Sequence, residues 1–158
     1  MEKIIFSDVA LSFGDKVIFK NFNIELLASK TTGIFGKNGS DKSTFLKLAG
    51  KIIKPDEGQV NFVDGMILNR SQCSDKISAI TPEMKIYENL TALENLEFFS
   101  KLRGKNLSEV EKIQIGKRVG FDFETSGLLR VKNLSTGMRQ RLKFAILLSV
   151  DAEIVLLD

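Results

Sequence analysis

The sequence predicts an α/β fold: a core of parallel strands, an antiparallel β segment at the start and a helical insertion. Three observations carry that expectation. The opening residues hold short apolar runs alternating with polar positions around a Gly14-Asp15 turn signal, as antiparallel strands do. Residues 32–35 form an apolar run that ends directly in the glycine-rich stretch GKNGSDKS, and beyond it Phe45, Leu46, Leu48 and Ala49 fall at helical spacing. The final residues, Ile154 to Leu157 and then Asp158, are four apolar positions and a carboxylate, the composition of a strand buried in a parallel sheet.

Residues 4–6 and 9–13 are rich in strand formers, and residues 17–19 and 22–26 supply the returning strands of an antiparallel sheet. After the strand at 32–35 and its loop, the first helix closes at Gly50. Residues 55–58 read as a turn, 59–63 as a strand and 77–80 as another. Thr91 and Glu94 have the spacing of a capping box ahead of a stripe formed by Leu93, Leu96, Phe99 and Leu102, with Gly104 as the stop. Ser108 and Glu111 repeat the box before Val110 and Ile113. A third helix starts near Ser135 and runs through Leu142, Ala145, Ile146 and Val150.

Composition narrows the chemistry. A chain of 158 residues with 43% hydrophobic and 27% charged residues suits one globular domain. The single cysteine, Cys73, excludes an internal disulfide, and the absence of histidine removes imidazole bases and metal ligands. A net charge of +3, spread without aromatic interleaving, argues against a nucleic-acid partner. The opening MEKIIFSDVALSF lacks the apolar core of a secretion signal, and residues 144–148, the longest apolar run, fall far short of the ~20 needed to span a bilayer.

The chemistry concentrates in GKNGSDKSTFLKLAG, Gly36 to Gly50. A glycine-rich turn entering a helix lets backbone N–H groups converge on phosphate oxygens, and the helix start adds about half a positive charge. Lys42 would reach outer phosphates, the Ser43 hydroxyl would help hold Mg²⁺, and Gly36 and Gly39 supply backbone freedom. The same residues also suit an ordinary turn before a solvent-facing helix. The strict pattern G-x-x-x-x-G-K-[ST] is broken, because Asp41 stands at the second glycine.

Residues 133–142 read NLSTGMRQRL, and with them the sequence resembles the ATP-binding-cassette (ABC) ATPases. Leu134, Ser135, Thr136, Gly137 and Met138 represent their LSGGQ signature, and Gln140-Arg141-Leu142 its tail. Residues 154–158 match their Walker B strand, and Phe13-Gly14-Asp15 matches the hairpin aromatic that stacks on adenine. The resemblance covers essentially the whole chain in the family's order. It implies a P-loop NTPase core with an N-terminal antiparallel β subdomain and a helical subdomain at 83–134, within one domain spanning 1–158. It also implies nucleotide contacts from Phe13, Gly36, Asn38, Gly39, Ser40, Asp41, Lys42, Ser43 and Thr44. Mg²⁺ would be held by Ser43 and, through water, by Asp158, with Lys42 and Asp158 in the catalytic roles. The signature would face ATP held by a partner subunit. Taken singly, Phe13 also suits a plain strand aromatic, Ser135 a plain N-cap and Asp158 a turn residue.

Three departures qualify the resemblance. Asp41 brings negative charge toward a triphosphate and is placed to pair with Lys42. Two like charges ~4 Å apart repel by about 4 kcal/mol at an effective dielectric of 20, roughly a thousandfold in affinity. The family's Mg²⁺-sensing glutamine is missing from ITPEMKIY, residues 80–87, where Pro82 or Glu83 takes its place. The sequence also stops at Asp158, before the family's catalytic glutamate and switch histidine, so a truncated cassette without useful turnover is expected.

The resemblance therefore implies the ATP-binding subunit of an ABC transporter, bound peripherally on the cytoplasmic face of the cell membrane. Its partners would be a second ATP-binding subunit, in a homo- or heterodimer, and membrane-spanning subunits. The alternative is a degenerate, non-hydrolysing regulatory or structural subunit.

Overall fold

The computed structural model describes residues 1–68, 73 and 76–158. They form two compact units: Met1–Thr81 with Glu153–Asp158, and Pro82–Ala152. The fold is mixed α/β, with the expected antiparallel sheet and helices.

In the first unit, β1 (Lys3–Phe13), β2 (Lys16–Leu27), β3 (Glu57–Asp64) and β4 (Met66–Ile67) build a four-stranded antiparallel sheet in the order β2-β1-β3-β4. The sequence breaks β1 and β2 into two runs each, whereas the structure keeps each strand continuous by bulging it. Asp8 and Asn21 take left-handed backbone at φ 50° and 48°. These are residue types that tolerate that region. Asn23 fastens the bulge, since its side-chain N–H₂ donates to Asp8 Oδ1 at 3.0 Å while its Oδ1 accepts from the Asp8 amide at 2.8 Å. On β3, Gly58 passes so close to the bulge that a Cβ would lie 2.3 Å from the Asp8 carbonyl oxygen.

Helix α1 (Lys42–Ala49) packs its apolar face on this sheet. The Phe45 ring stacks on Phe6 with centroids 4.9 Å apart, and Phe22 meets both rings edge-on. Such pairs add about 0.5–1.5 kcal/mol beyond area burial. Two further strands, β5 (Ile77–Ile80) and β6 (Ile154–Leu157), pair in parallel, and Leu156 joins the same core as Leu48 and Ala49.

Two expectations fail here. Residues 32–35 form no strand, and Phe35 is 94% exposed. A strand needs a ladder partner and apolar cover, and Gly33 in its middle offers no side chain to earn either. The last strand is not buried on both faces, because Leu156 alone is buried while Val155 and Leu157 are about half exposed. Among the described residues β6 has one neighbour, so only one of its faces meets the core.

The second unit is helical: α2 (Ala92–Leu102), α3 (Glu109–Val119), α4 (Phe123–Ser126), a 3₁₀ turn at Val131–Asn133 and α5 (Thr136–Leu148). Both expected capping boxes form, at Thr91/Glu94 and Ser108/Glu111. The inward faces differ from the expected stripes. Leu96 is buried, but so are Asn95 and Ser100, while Leu102 is exposed. On α3 the buried residues are Lys112, Ile115 and Gly116, and Val110 faces out.

Polar residues can hold these inward positions because each finds partners. Lys112 Nζ donates to Glu97 at 2.5 Å and Glu109 at 2.7 Å. The Asn95 amide donates to the Tyr87 and Thr91 carbonyls and accepts from the Tyr87 amide at 2.8 Å. No helix among the described residues is long and apolar enough to cross a membrane.

Candidate functional site

The glycine-rich loop enters α1 as the sequence requires, although no strand leads into it. Its shape depends on backbone freedom at two places. Gly39 sits at φ +80°, and a Cβ on Gly36 would come within 2.4 Å of Ser40 Oγ. The Ser40 amide donates to the Lys37 carbonyl at 3.1 Å and closes the turn. Asn38, Gly39 and Ser40 are exposed, while Ser43 and Thr44 are half-buried in the first helical turn. No acidic residue and no capping side chain occupies that turn. A helix start of this kind suits an anion.

Asp41 is the N-cap residue of α1 in the left-handed region, φ 58° and ψ 28°, so it adopts the backbone a glycine would take there. Its carboxylate caps no amide, and it does not pair with Lys42 as expected. It accepts instead from Lys16 Nζ at 2.9 and 3.1 Å, one contact to each oxygen. Lys42 turns back onto its own loop, donating to the Gly36 carbonyl at 3.0 Å and the Lys37 carbonyl at 2.9 Å, with Ser40 Oγ at 3.5 Å. The physical reason is reach: a lysine from the neighbouring hairpin meets Asp41 head-on, which leaves Lys42 to satisfy loop carbonyls.

That hairpin is the one carrying Phe13. Phe13 ends β1, is 54% exposed, and stands directly opposite Lys16 across the Gly14-Asp15 turn. Phe13, Lys16, Asp41 and Lys42 all belong to the first unit, and the Lys16–Asp41 contact joins the hairpin to the loop. Sequence reasoning missed Lys16. Its adjacency to the turn was visible, but nothing in the spacing pointed to its partner, 25 residues on. Asp158 follows β6 with an exposed side chain, and its amide donates to the Ile80 carbonyl at 3.0 Å. The Ser43 hydroxyl and Asp158 carboxylate are hard oxygen donors of the kind that suit Mg²⁺.

In the second unit the LSTGM residues open α5. Leu134 is buried and fixes the entry; Ser135 is the N-cap, its Oγ accepting from the Met138 amide at 3.2 Å. Thr136 and Gly137 are exposed, and a Cβ at Gly137 would meet nothing within 4 Å. Arg139, a second residue the sequence reading did not single out, steadies this start. It donates to the Leu134 carbonyl at 3.2 Å and the Lys132 carbonyl at 2.9 Å, and pairs with Glu88 at 3.4 Å. Beside it lies an open groove of about 490 Å³, whose lining includes Met84, Ile86 and Val131 together with Lys85, Glu88 and Lys143.

A family model described as ABC transporter matches residues 19–158. The chain belongs to that family, whose ATPases bind and hydrolyse ATP. It is 28% identical over its full length to Nod factor export ATP-binding protein I of Rhizobium etli. Over 98% of its length it is 30% identical to the ABC transporter ATP-binding protein NatA of Bacillus subtilis. Among solved structures it superposes on the ATP-binding cassette MJ0796, in a dimeric post-hydrolysis state bound to ADP and Pi, with TM-score 0.81 at 26% identity. That match covers 98% of this chain and 73% of the other. The chain spans 50% of the length of the Rhizobium protein and 65% of NatA.

Proposed function

We propose that these residues are the nucleotide-binding part of an ABC transporter's ATP-binding subunit, with a phosphate loop weakened by Asp41. The observation that carries the reading is the uncapped start of α1 behind a glycine turn, with Lys42 at its first position and the Phe13 hairpin tied to the same loop. Phe13 offers a π face for adenine, amides from Gly36 to Thr44 take the phosphates, and Lys42 follows by exchanging loop carbonyls for phosphate oxygens. Ser43 and Asp158 would hold Mg²⁺, which supplies charge neutralisation at the phosphates when bound. The Ser135 helix start would meet nucleotide held by a second ATP-binding subunit. The groove beside Met84 and Ile86 suits a membrane-spanning partner, which would place the protein peripherally on the cytoplasmic face. Residues 83–134 would be its helical subdomain, the greater part of the second unit, which also takes in α5.

Asp41 is neutralised in part by Lys16, so its effect on affinity should be smaller than the bare Coulomb figure. In calorimetric titration with Mg-ATP, Asp41→Gly should tighten binding by ten- to a hundredfold, or about 1.4–2.7 kcal/mol. Lys42→Ala should weaken it at least tenfold. Equal affinities for the chain and Asp41→Gly would remove the weakened-loop reading, and no binding by either would remove the nucleotide reading.

The 158-residue polypeptide should not turn over ATP, since Lys42 and Asp158 serve phosphate and Mg²⁺ in this reading and neither positions an attacking water. Mg-dependent hydrolysis abolished by Lys42→Ala would contradict that. A non-hydrolysing regulatory subunit is the second reading, favoured by Asp41 and by the absence of glutamine from residues 80–87.

A further inference from the structure

We propose that the Lys16–Asp41 ion pair is a strap that sets the separation between the Phe13 platform and the phosphate loop, making Lys16 a positioning residue for nucleotide. The inference rests on the nucleotide-binding reading for its functional consequence, while the strap itself is a structural claim.

The hairpin end is short and defined: Phe13 and Lys16 are cross-strand partners, separated by a turn whose Gly14 sits at φ 58°. The Lys16 backbone therefore cannot shift without carrying Phe13 along. Lys16 Nζ contacts both oxygens of Asp41, at 2.9 and 3.1 Å. Asp41 in turn is the hinge between loop and helix, because its carbonyl accepts from the Phe45 amide at 3.0 Å while its own backbone is left-handed. Phe45 is anchored on Phe6 of β1. A closed circuit results, running from Phe13 through Lys16, Asp41 and Phe45 to Phe6 and back along β1. Within it, the Lys16–Asp41 pair is an exposed side-chain link, whereas Phe6 and Phe45 meet in the core.

A mononucleotide must touch an aromatic platform at one end and loop amides at the other, so its affinity depends on how well the two ends are pre-spaced. Inorganic triphosphate uses the loop alone. A change in loop charge shifts both ligands alike, whereas a loosened strap penalises ATP selectively.

The test measures Mg-ATP and Mg-triphosphate affinities, and amide exchange of the ligand-free chain, for wild type, Lys16→Met, Asp41→Asn and the swap Lys16→Asp/Asp41→Lys. An exposed ion pair is worth a two- to fivefold effect. In Lys16→Met and Asp41→Asn, the ratio of ATP to triphosphate affinity should fall two- to fivefold, and exchange at the Ser40 amide should quicken by a similar factor. The swap should restore both. An unchanged ratio with both ligands shifted together would overturn the positioning role, and unchanged exchange would overturn the strap. If no variant bound either ligand, the nucleotide reading would fall, while the exchange rates would still decide the strap.

Discussion

Gly36 and Asp41 show how single residues decide what the loop can become. Gly36→Ala should force Ser40 aside, since the new Cβ would lie 2.4 Å from its hydroxyl. The expected outcome is at least a tenfold loss of triphosphate affinity with little change in thermal stability, because the loop is exposed. Calorimetry and a melting curve would check the two halves. The glycine turn and the helix opening at Lys42 were readable from residue order alone, since both are local chemistry. What Asp41 does was not readable. Its charge was evident, but its partner depends on the hairpin's path, which residue spacing does not encode. Lys16 was invisible for the same reason.

At the scale of elements, helix caps were the most legible feature and helix faces the least. Thr91/Glu94 and Ser108/Glu111 form their boxes because capping is a contact between residues three apart. The faces of α2 and α3 went astray because Asn95 and Lys112 point inward, permitted by partners that include Tyr87 and Glu97 on other segments. Asn95→Ala should remove the three hydrogen bonds that the buried Asn95 amide makes with the part-buried Tyr87 and Thr91 backbone, costing about 1–3 kcal/mol in chemical denaturation.

Caps also predict a pH response. Backbone amides at Thr91 and Ser108 hold the Glu94 and Glu111 carboxyls below their ordinary range, and the Thr125 hydroxyl and amide do the same for Asp122. Depressed carboxyl values stabilise the fold above the unfolded values, near pH 4, and that contribution fades as pH falls through the folded ones. The urea midpoint should therefore drop from pH 5 to 3, and the Glu94→Gln/Glu111→Gln/Asp122→Asn variant should flatten the slope. An identical slope in the variant would refute it.

Across the whole molecule, each unit carries its own core, one around Phe6, Phe62 and Leu48, the other around Leu96, Val131 and Leu142. Separate cores favour separate unfolding. The chain has one tyrosine and no tryptophan, so Tyr87 reports on the helical unit alone. Tyrosine fluorescence and far-UV circular dichroism should give different urea midpoints, and Mg-ATP should move the transition that fluorescence does not see. Coincident midpoints would show one cooperative body. The missing strand at 32–35 belongs to this scale too, for apolar composition proposes a strand and only a neighbouring ladder creates one. Finally, the posture of Lys42 acts as a threshold. Its ammonium already rests on two carbonyl dipoles, so a sparsely charged anion such as chloride gains little by displacing them. On the proposed reading only a densely charged ligand would favour the exchange, and the resting loop would ignore the small anions that outnumber nucleotides in any cell.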